Sequence, residues 1–230
     1  MKNRAEKIIR GARERAQKNL SEYESKQLLA CYGIPVTAEI LAATPQEALA
    51  ASETIGFPLA MKACAPQLMH KTESGAVVLN VGTKTELRQA YSHLAGMEPA
   101  PDGVLVQAMA AGRRELVVGM NRDAQFGPCV MLGLGGVFTE LLNDTAFRAV
   151  PFDRVEALDM TAELRGSKIF GEFRGESRVN LEKLTDILLA IGEIAGSHPE
   201  VTEIDINPLV VNQDGLCVAV DALVVLGSAV

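Results

Sequence analysis

Residues 201–223, VTEIDINPLVVNQDGLCVAVDAL, alternate between apolar and polar side chains. A period of two commits a chain to extended, half-buried strands. Ile204, Ile206, Pro208 and Val210 fall on one side; Glu203, Asp205 and Asn207 fall on the other. The turn cluster Gln213-Asp214-Gly215 divides the stretch into two arms. A three-residue loop with Gly215 in the left-handed position places Asn212 opposite Leu216. The same register sets Asn207 opposite Asp221. One face of this hairpin is then expected to be apolar throughout: Ile204, Ile206, Val210, Leu216, Val218 and Val220. The other carries Asp205, Asn207 and Asp221 at its outer end. Pro208 cannot donate to a ladder, so it marks a bulge or an edge beside them. Gathered carboxylates repel unless something positive sits between them, and an all-oxygen set suits Mg2+ better than zinc. An ordinary exposed strand face with solvated acids has the same pattern, and this stretch alone leaves both readings open.

The chain has 230 residues, 48% of them hydrophobic, enough for one large domain or two small ones with real cores. A net charge of -7 argues against a general binder of nucleic acid or anionic membrane. It leaves room for a local basic pocket. Cys31, Cys64, Cys129 and Cys217 are scattered without a CxxC pair and read as buried small residues in a reducing compartment. The basic N-terminus has no apolar core behind it, so it is not a secretory signal. No apolar run approaches membrane-spanning length. A soluble cytoplasmic protein is expected.

Residues 4–18 read as a helix with a thin apolar stripe of Ile8, Ile9 and Ala12. Capping boxes are expected at Ser21-Glu24, Thr44-Glu47 and Thr83-Glu86, each opening a helix; the second has Pro45 at its first position. Strands are expected at 36–41, 58–64, 76–81 and 104–107, and the run Pro99-Ala-Pro-Asp-Gly103 reads as a linker. Further strands are expected at 113–120 and 128–132, with 147–151 pairing nearby. A helix near 153–164 precedes a charged, glycine-rich loop. Asn180 caps the most regular helix, 181–195, which Gly196 ends. The division is an N-terminal helix at 1–20 packing on the second subdomain or a partner, then subdomains at 21–107 and 108–230.

Lys62 is one long cation in an apolar strand and calls for an anion, phosphate being a natural one. A stem that packs while its head reaches water explains it as well. His70 lies in a loop with Lys71, Thr72 and Gly75, where an imidazole is placed to act as a nucleophile toward phosphorus; an exposed loop histidine has the same sequence signature. His93 and His198 read as surface or capping residues. Gly133, Gly135 and Gly136 follow a strand as a phosphate loop would, but neither the dinucleotide nor the Walker fingerprint is met.

These segments resemble a known family over nearly the whole chain. They are the lysine strand, LMHKTESGAVVLNV, VQAMAAGRRELVVGMNRDAQFGPCVMLGLGGVFTELLND, EIDINPLVV and VAVDA. Together they are similar to the ATP-grasp subunit of ADP-forming acyl-CoA synthetases, the beta chain of ADP-forming acetate–CoA ligase. A more distant likeness is to the beta chain of succinyl-CoA synthetase. The resemblance implies an α+β class and an ATP-grasp fold, two α+β subdomains clasping a nucleotide. It implies that Lys62 contacts ATP phosphates, that the backbone at Gln107, Ala108 and Met109 lines the adenine slot, and that Glu115 lies in the nucleotide site. Asn207 and Asp221 would hold Mg2+, with Asp205 close to the metal or to a phosphohistidine, and His70 would take up phosphate transiently. The implied cofactors are ATP/ADP and Mg2+; the implied partner is a CoA-binding alpha subunit. The implied reaction is acyl-CoA + ADP + phosphate to carboxylate + CoA + ATP. Three positions depart from the pattern: Cys64-Ala65 after the lysine, Ala76 after Gly75, and Leu223 after Asp221-Ala222. The same segment also occurs in large protein acyltransferases, so an ATP-binding regulatory module without turnover is the alternative. A plain ATP-grasp carboxylate–amine ligase is weakened by the HKTESG loop.

Overall fold

A computed structural model describes residues 2–66, 75–136, 144–172 and 175–227. The chain divides into two compact units, one of Met1–Leu20, Glu24–Val36 and Ala110–Val230, the other of Ser21–Tyr23 and Thr37–Met109.

Among the described residues, the smaller unit is a four-stranded antiparallel sheet with two helices. Its strands are β1 (Glu39–Ala42), β2 (Leu59–Cys64), β3 (Val77–Val81) and β4 (Gly103–Ala108), in the order β1-β4-β2-β3. Its helices are α3 (Pro45–Ile55) and α4 (Lys84–Ala95). Leu59, Met61, Ala63, Val104 and Val106 point from the sheet into a core shared with Ala48, Ala51, Leu87 and Leu94 of the helices. Both helices begin where the sequence placed them. Thr44 and Thr83 each accept the backbone N–H three residues on, at 3.2 Å. The reciprocal half differs from a capping box: Glu47 and Glu86 accept the N–H of Ala43 and Gly82, one residue before each cap. A complete box occurs instead at Asp153 and Glu156.

The larger unit carries the C-terminal sheet, β5 (Arg114–Asp123), β6 (Gly127–Leu134), β7 (Thr145–Ala149), β8 (Val201–Val211), β9 (Cys217–Ala219) and β10 (Ala222–Leu226). The order is β10-β8-β5-β6-β7, with β9 also on β8. Among the described residues its α-helices are α1 (Lys2–Glu14), α2 (Glu22–Cys31, from Glu24 on), α5 (Arg154–Glu163) and α6 (Leu181–Ser197). On α6, Leu184, Ile187, Leu188, Ile191 and Ile194 are buried at helical spacing. Each such burial is worth about 1.5–3 kcal/mol, against about 1 kcal/mol lost at an interior glycine. The helix therefore continues through Gly196, two residues beyond the expected end, to a cap at His198. On α1 the buried stripe is Ala5, Ile9 and Ala12, with Ile8 half-buried. Leu28, Leu29 and Ile34 join that same core, so most of α2 groups with the C-terminal sheet, where a boundary at residue 20 was expected.

The hairpin register is as the alternation predicts, but half of its face assignment is not. Asn212 pairs with Leu216 across a loop in which Gly215 has φ +80°. Leu209 faces Ala219 and Ile206 faces Ala222, one register throughout, which sets Asn207 opposite Asp221. The β5–β8 ladder, however, shifts by one residue between Leu116 and Val118, so β8 bulges at Asn207–Pro208. A one-residue shift sends every later side chain to the other face. Leu209, Val211, Cys217 and Ala219 are therefore the core residues beyond the bulge. Leu216 is exposed, and Val218 and Val220 are only half-buried, where an apolar core face was expected. Pro208 thus marks a bulge, in a strand paired on both sides.

Cys217 illustrates the cost of that burial. It is 3% exposed, and burial pushes its thiol up to about 12 despite the opposing Arg114 charge. Since the thiolate is the reactive form, alkylation of the native chain at pH 8 is expected to modify the half-buried Cys31 and Cys129 and to spare Cys217. Peptide mass mapping before and after denaturation checks this; rapid native labelling of Cys217 would contradict the packing described.

Candidate active site

In the larger unit the site grows from the sheet face opposite the main core. On β5 the core takes Leu116, Val118 and Met120; alternation turns Glu115, Val117 and Gly119 the other way. The register brings Gly133 beside Val117 and Asp205 beside Gly119. Asp205, Asn207 and Asp221 lie on this face, gathered where β8 bulges and where residues 220–221 separate β9 from β10. Burial pushes the Asp205 carboxyl up to about 6, and the charges of Glu203 and Asp221 push the same way. Such a group of acids is stabilised by a cation.

Donor chemistry tests which cation fits. Among the described residues, no three or more His, Cys, Asp and Glu side chains are grouped to hold a metal. Asn207 and Asp221 offer one amide and one carboxylate. Two protein oxygens suit Mg2+, which keeps waters and takes phosphate oxygens; they would not make a zinc site. The residues therefore fit Mg2+ shared with a phosphorylated ligand.

The glycines after β6 have a local explanation. Gly135 donates its N–H to the Glu115 carbonyl at 2.7 Å, and a Cβ there would lie 2.6 Å from the Glu115 backbone. Only glycine allows that approach. A Cβ on Gly136 would stand 3.2 Å from Glu115 Oε2. The loop wraps Glu115, a role the Gly-x-Gly-Gly pattern by itself did not disclose.

In the smaller unit, Lys62 and Gln107 share the sheet face opposite the core, since Ala60 pairs with Gln107 and Lys62 with Leu105. Both are buried. The anion beside Lys62 is a carboxylate: its Nζ donates to Glu22 Oε1 at 2.6 Å, with side chains 5% and 1% exposed. Sequence reading missed Glu22, having taken it only as part of a cap. Ala108 ends β4 and gives its N–H to Ala38; Met109 follows the strand. His70 lies outside the described residues. His198 caps α6 as expected but is buried, not on the surface: Tyr32 Oη lies 2.7 Å from its Nε2.

Three comparisons bear on this arrangement. The family description "ATP-grasp domain" matches residues 11–226. The chain is 41% identical over 229 residues to the acetate–CoA ligase [ADP-forming] I subunit beta of Pyrococcus furiosus, covering 97% of this chain and 98% of that one. It superposes with a TM-score of 0.91, at 38% identity, on a dinucleotide forming acetyl-coenzyme A synthetase 1 of Ca. Korarchaeum cryptofilum in complex with coenzyme A, Ca-AMPCP and HgCl+, covering 96% of this chain and 99% of that one. A second structure of that enzyme, with coenzyme A and Mg-AMPPCP and its phosphohistidine segment pointing towards the nucleotide binding site, gives a TM-score of 0.86 at 38% identity over 97% of this chain and 100% of that one. Among the described residues, no helix is long and apolar enough to cross a membrane.

Proposed function

The chain belongs to the ATP-grasp family, among the beta subunits of ADP-forming acid–CoA ligases, and from that premise we propose that it is the nucleotide-binding subunit of such a ligase. The reaction is acyl-CoA + ADP + phosphate = carboxylate + CoA + ATP, with phosphoryl carried between nucleotide and acid by a histidine. The observation that carries the reading is the convergence of Glu115, Asp205, Asn207 and Asp221 on one sheet face.

In this reading Asn207 and Asp221 hold Mg2+, which neutralises charge on the phosphate oxygens. Lys62 binds phosphate oxygens as a point charge, and its 2.6 Å pair with Glu22 holds its head group in place within a buried face. Glu115 sits in the nucleotide site, and the backbone of Gln107, Ala108 and Met109 receives the adenine. His70 is the acceptor. Its imidazole nitrogen attacks the γ-phosphorus of ATP in line, an N–P bond forms, the bond from the γ-phosphorus to the bridging oxygen breaks, and ADP departs. Asp205 stands near the metal or the phosphohistidine. The phosphohistidine segment named for the Korarchaeum enzyme supports the acceptor role. The acid and CoA are handled by a CoA-binding alpha subunit, as the "subunit beta" of the Pyrococcus relative suggests. The four cysteines are in no disulfide, which suits the reducing cytoplasm. No observation favours the regulatory-module alternative.

Incubation with γ-labelled ATP and Mg2+, with and without an alpha chain, is expected to leave acid-labile, alkali-stable label on His70. The His70→Ala chain is expected to take up none. Label that persists in that variant would remove His70 from the mechanism.

A further inference from the structure

We infer that Ser25 and Lys26, consecutive residues of α2, form a clamp that positions Asp221 for its metal; the inference rests on the reading of Asn207 and Asp221 given above. Residues 220–221 are the only break between β9 (Cys217–Ala219) and β10 (Ala222–Leu226). The clamp grips that break on both sides. Lys26 Nζ donates to the Val220 carbonyl at 3.1 Å. The Val224 N–H donates to Ser25 Oγ at 3.2 Å. Leu20 adds a third bond, its N–H donating to the Val224 carbonyl at 2.9 Å. Val220 in turn donates to the Pro208 carbonyl at 3.1 Å, tying the break to the β8 bulge beside Asn207.

Burial makes this arrangement informative. Both Ser25 and Lys26 are 0% exposed. Taking an ammonium out of water costs several kcal/mol, and a buried cation is retained only where its charge and donors are used. Here the ammonium lies on the peptide that leads into Asp221. It fixes that peptide's direction, and so the line along which the Asp221 carboxylate leaves the sheet. Without the clamp, the two-residue break between short strands keeps only the ladder bonds on its flanks and the Val220–Pro208 bond, so the Asp221 carboxylate would sample several directions. Ser25 and Lys26 touch neither nucleotide nor metal in this account; they are positioning residues.

Groups that orient metal ligands typically change metal affinity by about 10- to 100-fold when removed. The test uses the full chain, Mn2+ as the metal probe and ADP as the nucleotide, with bound Mn2+ followed by electron paramagnetic resonance and ADP binding followed by calorimetry with Mn2+ or with EDTA. Lys26→Met is expected to weaken Mn2+·ADP binding roughly tenfold and to leave metal-free ADP binding unchanged. Ser25→Ala, which keeps the buried charge, is expected to weaken Mn2+·ADP binding a few-fold and stands as the second variant if Lys26→Met does not fold. Lys26→Arg, which keeps a donor, is expected to recover part of the loss. If the wild-type chain binds Mn2+·ADP, Asp221→Ala does not, and both clamp variants bind as wild type, the clamp is wrong and the site stands. Equal weakening with and without metal would also reject it, since that is the mark of general structural damage. If the wild-type chain binds no Mn2+·ADP, the metal site and the clamp fall together.

Discussion

Lys62→Met is expected to lower stability by roughly 3–5 kcal/mol and phosphoryl transfer by roughly 10^2- to 10^3-fold, and a second change, Glu22→Gln, is expected to restore most of the first loss and none of the other. The two side chains are 5% and 1% exposed and 2.6 Å apart. Removing one leaves a buried charge without its counter-charge; removing both leaves none, which is why paired replacement of buried ions is often close to neutral. Transfer does not follow that rule. If Lys62 binds phosphate oxygens, the doubly substituted protein lacks the cation whatever its stability. Chemical denaturation gives the first quantity and label transfer to His70 the second. Recovery of transfer in the double variant would reduce Lys62 to half of a structural ion pair.

The next largest effect is expected at Arg114, which lies on the core side of β5 beside Glu115. Its guanidinium donates to the carbonyls of Ile169 at 3.1 Å, Gly171 at 3.0 Å and Ser177, and pairs with Glu176 at 3.1 Å. It is 2% exposed. Arg114 thus ties Ile169, Gly171, Glu176 and Ser177 to β5, beside the bond from the Ser177 N–H to the Gln213 carbonyl at 3.2 Å. Arg114→Ala leaves these acceptors and one carboxylate without their donor, a loss of about 3–5 kcal/mol. For a domain of this size that lowers the melting temperature by about 10 °C. Lys does not replace it, because a point charge has no fork to serve acceptors set this far apart. A fall of less than about 2 °C on thermal unfolding would show that these residues are held by other means.

What could be read from the chain depended on how local the cause was. Asn212, Gly215 and the alternation gave the hairpin register, because a tight loop and a period of two act over a few residues. Thr44, Thr83 and Asn180 gave helix starts for the same reason. Asn207 and Asp221 could be set opposite each other before any coordinates. The faces beyond Pro208 could not, since a proline announces that a ladder is interrupted and not how many residues the interruption consumes. The Gly135–Glu115 approach was likewise hidden: a glycine shows that something comes close, and only the neighbouring strand shows what.

Residue pattern was enough for the strands, the helix starts and the pairing that joins Asn207 to Asp221, along with the resemblance that gave His70 and Lys62 their expected roles. Long-range packing alone set Glu22 as the carboxylate at Lys62, Arg114 as the donor to Ile169, Gly171 and Ser177, and Ser25 and Lys26 as the brace of the peptide before Asp221. In each of these three the partners are 40 or more residues apart. No period, cap or turn reaches that far; a buried charge finds its partner through the packing of the whole domain, and that packing is settled only when the chain has folded.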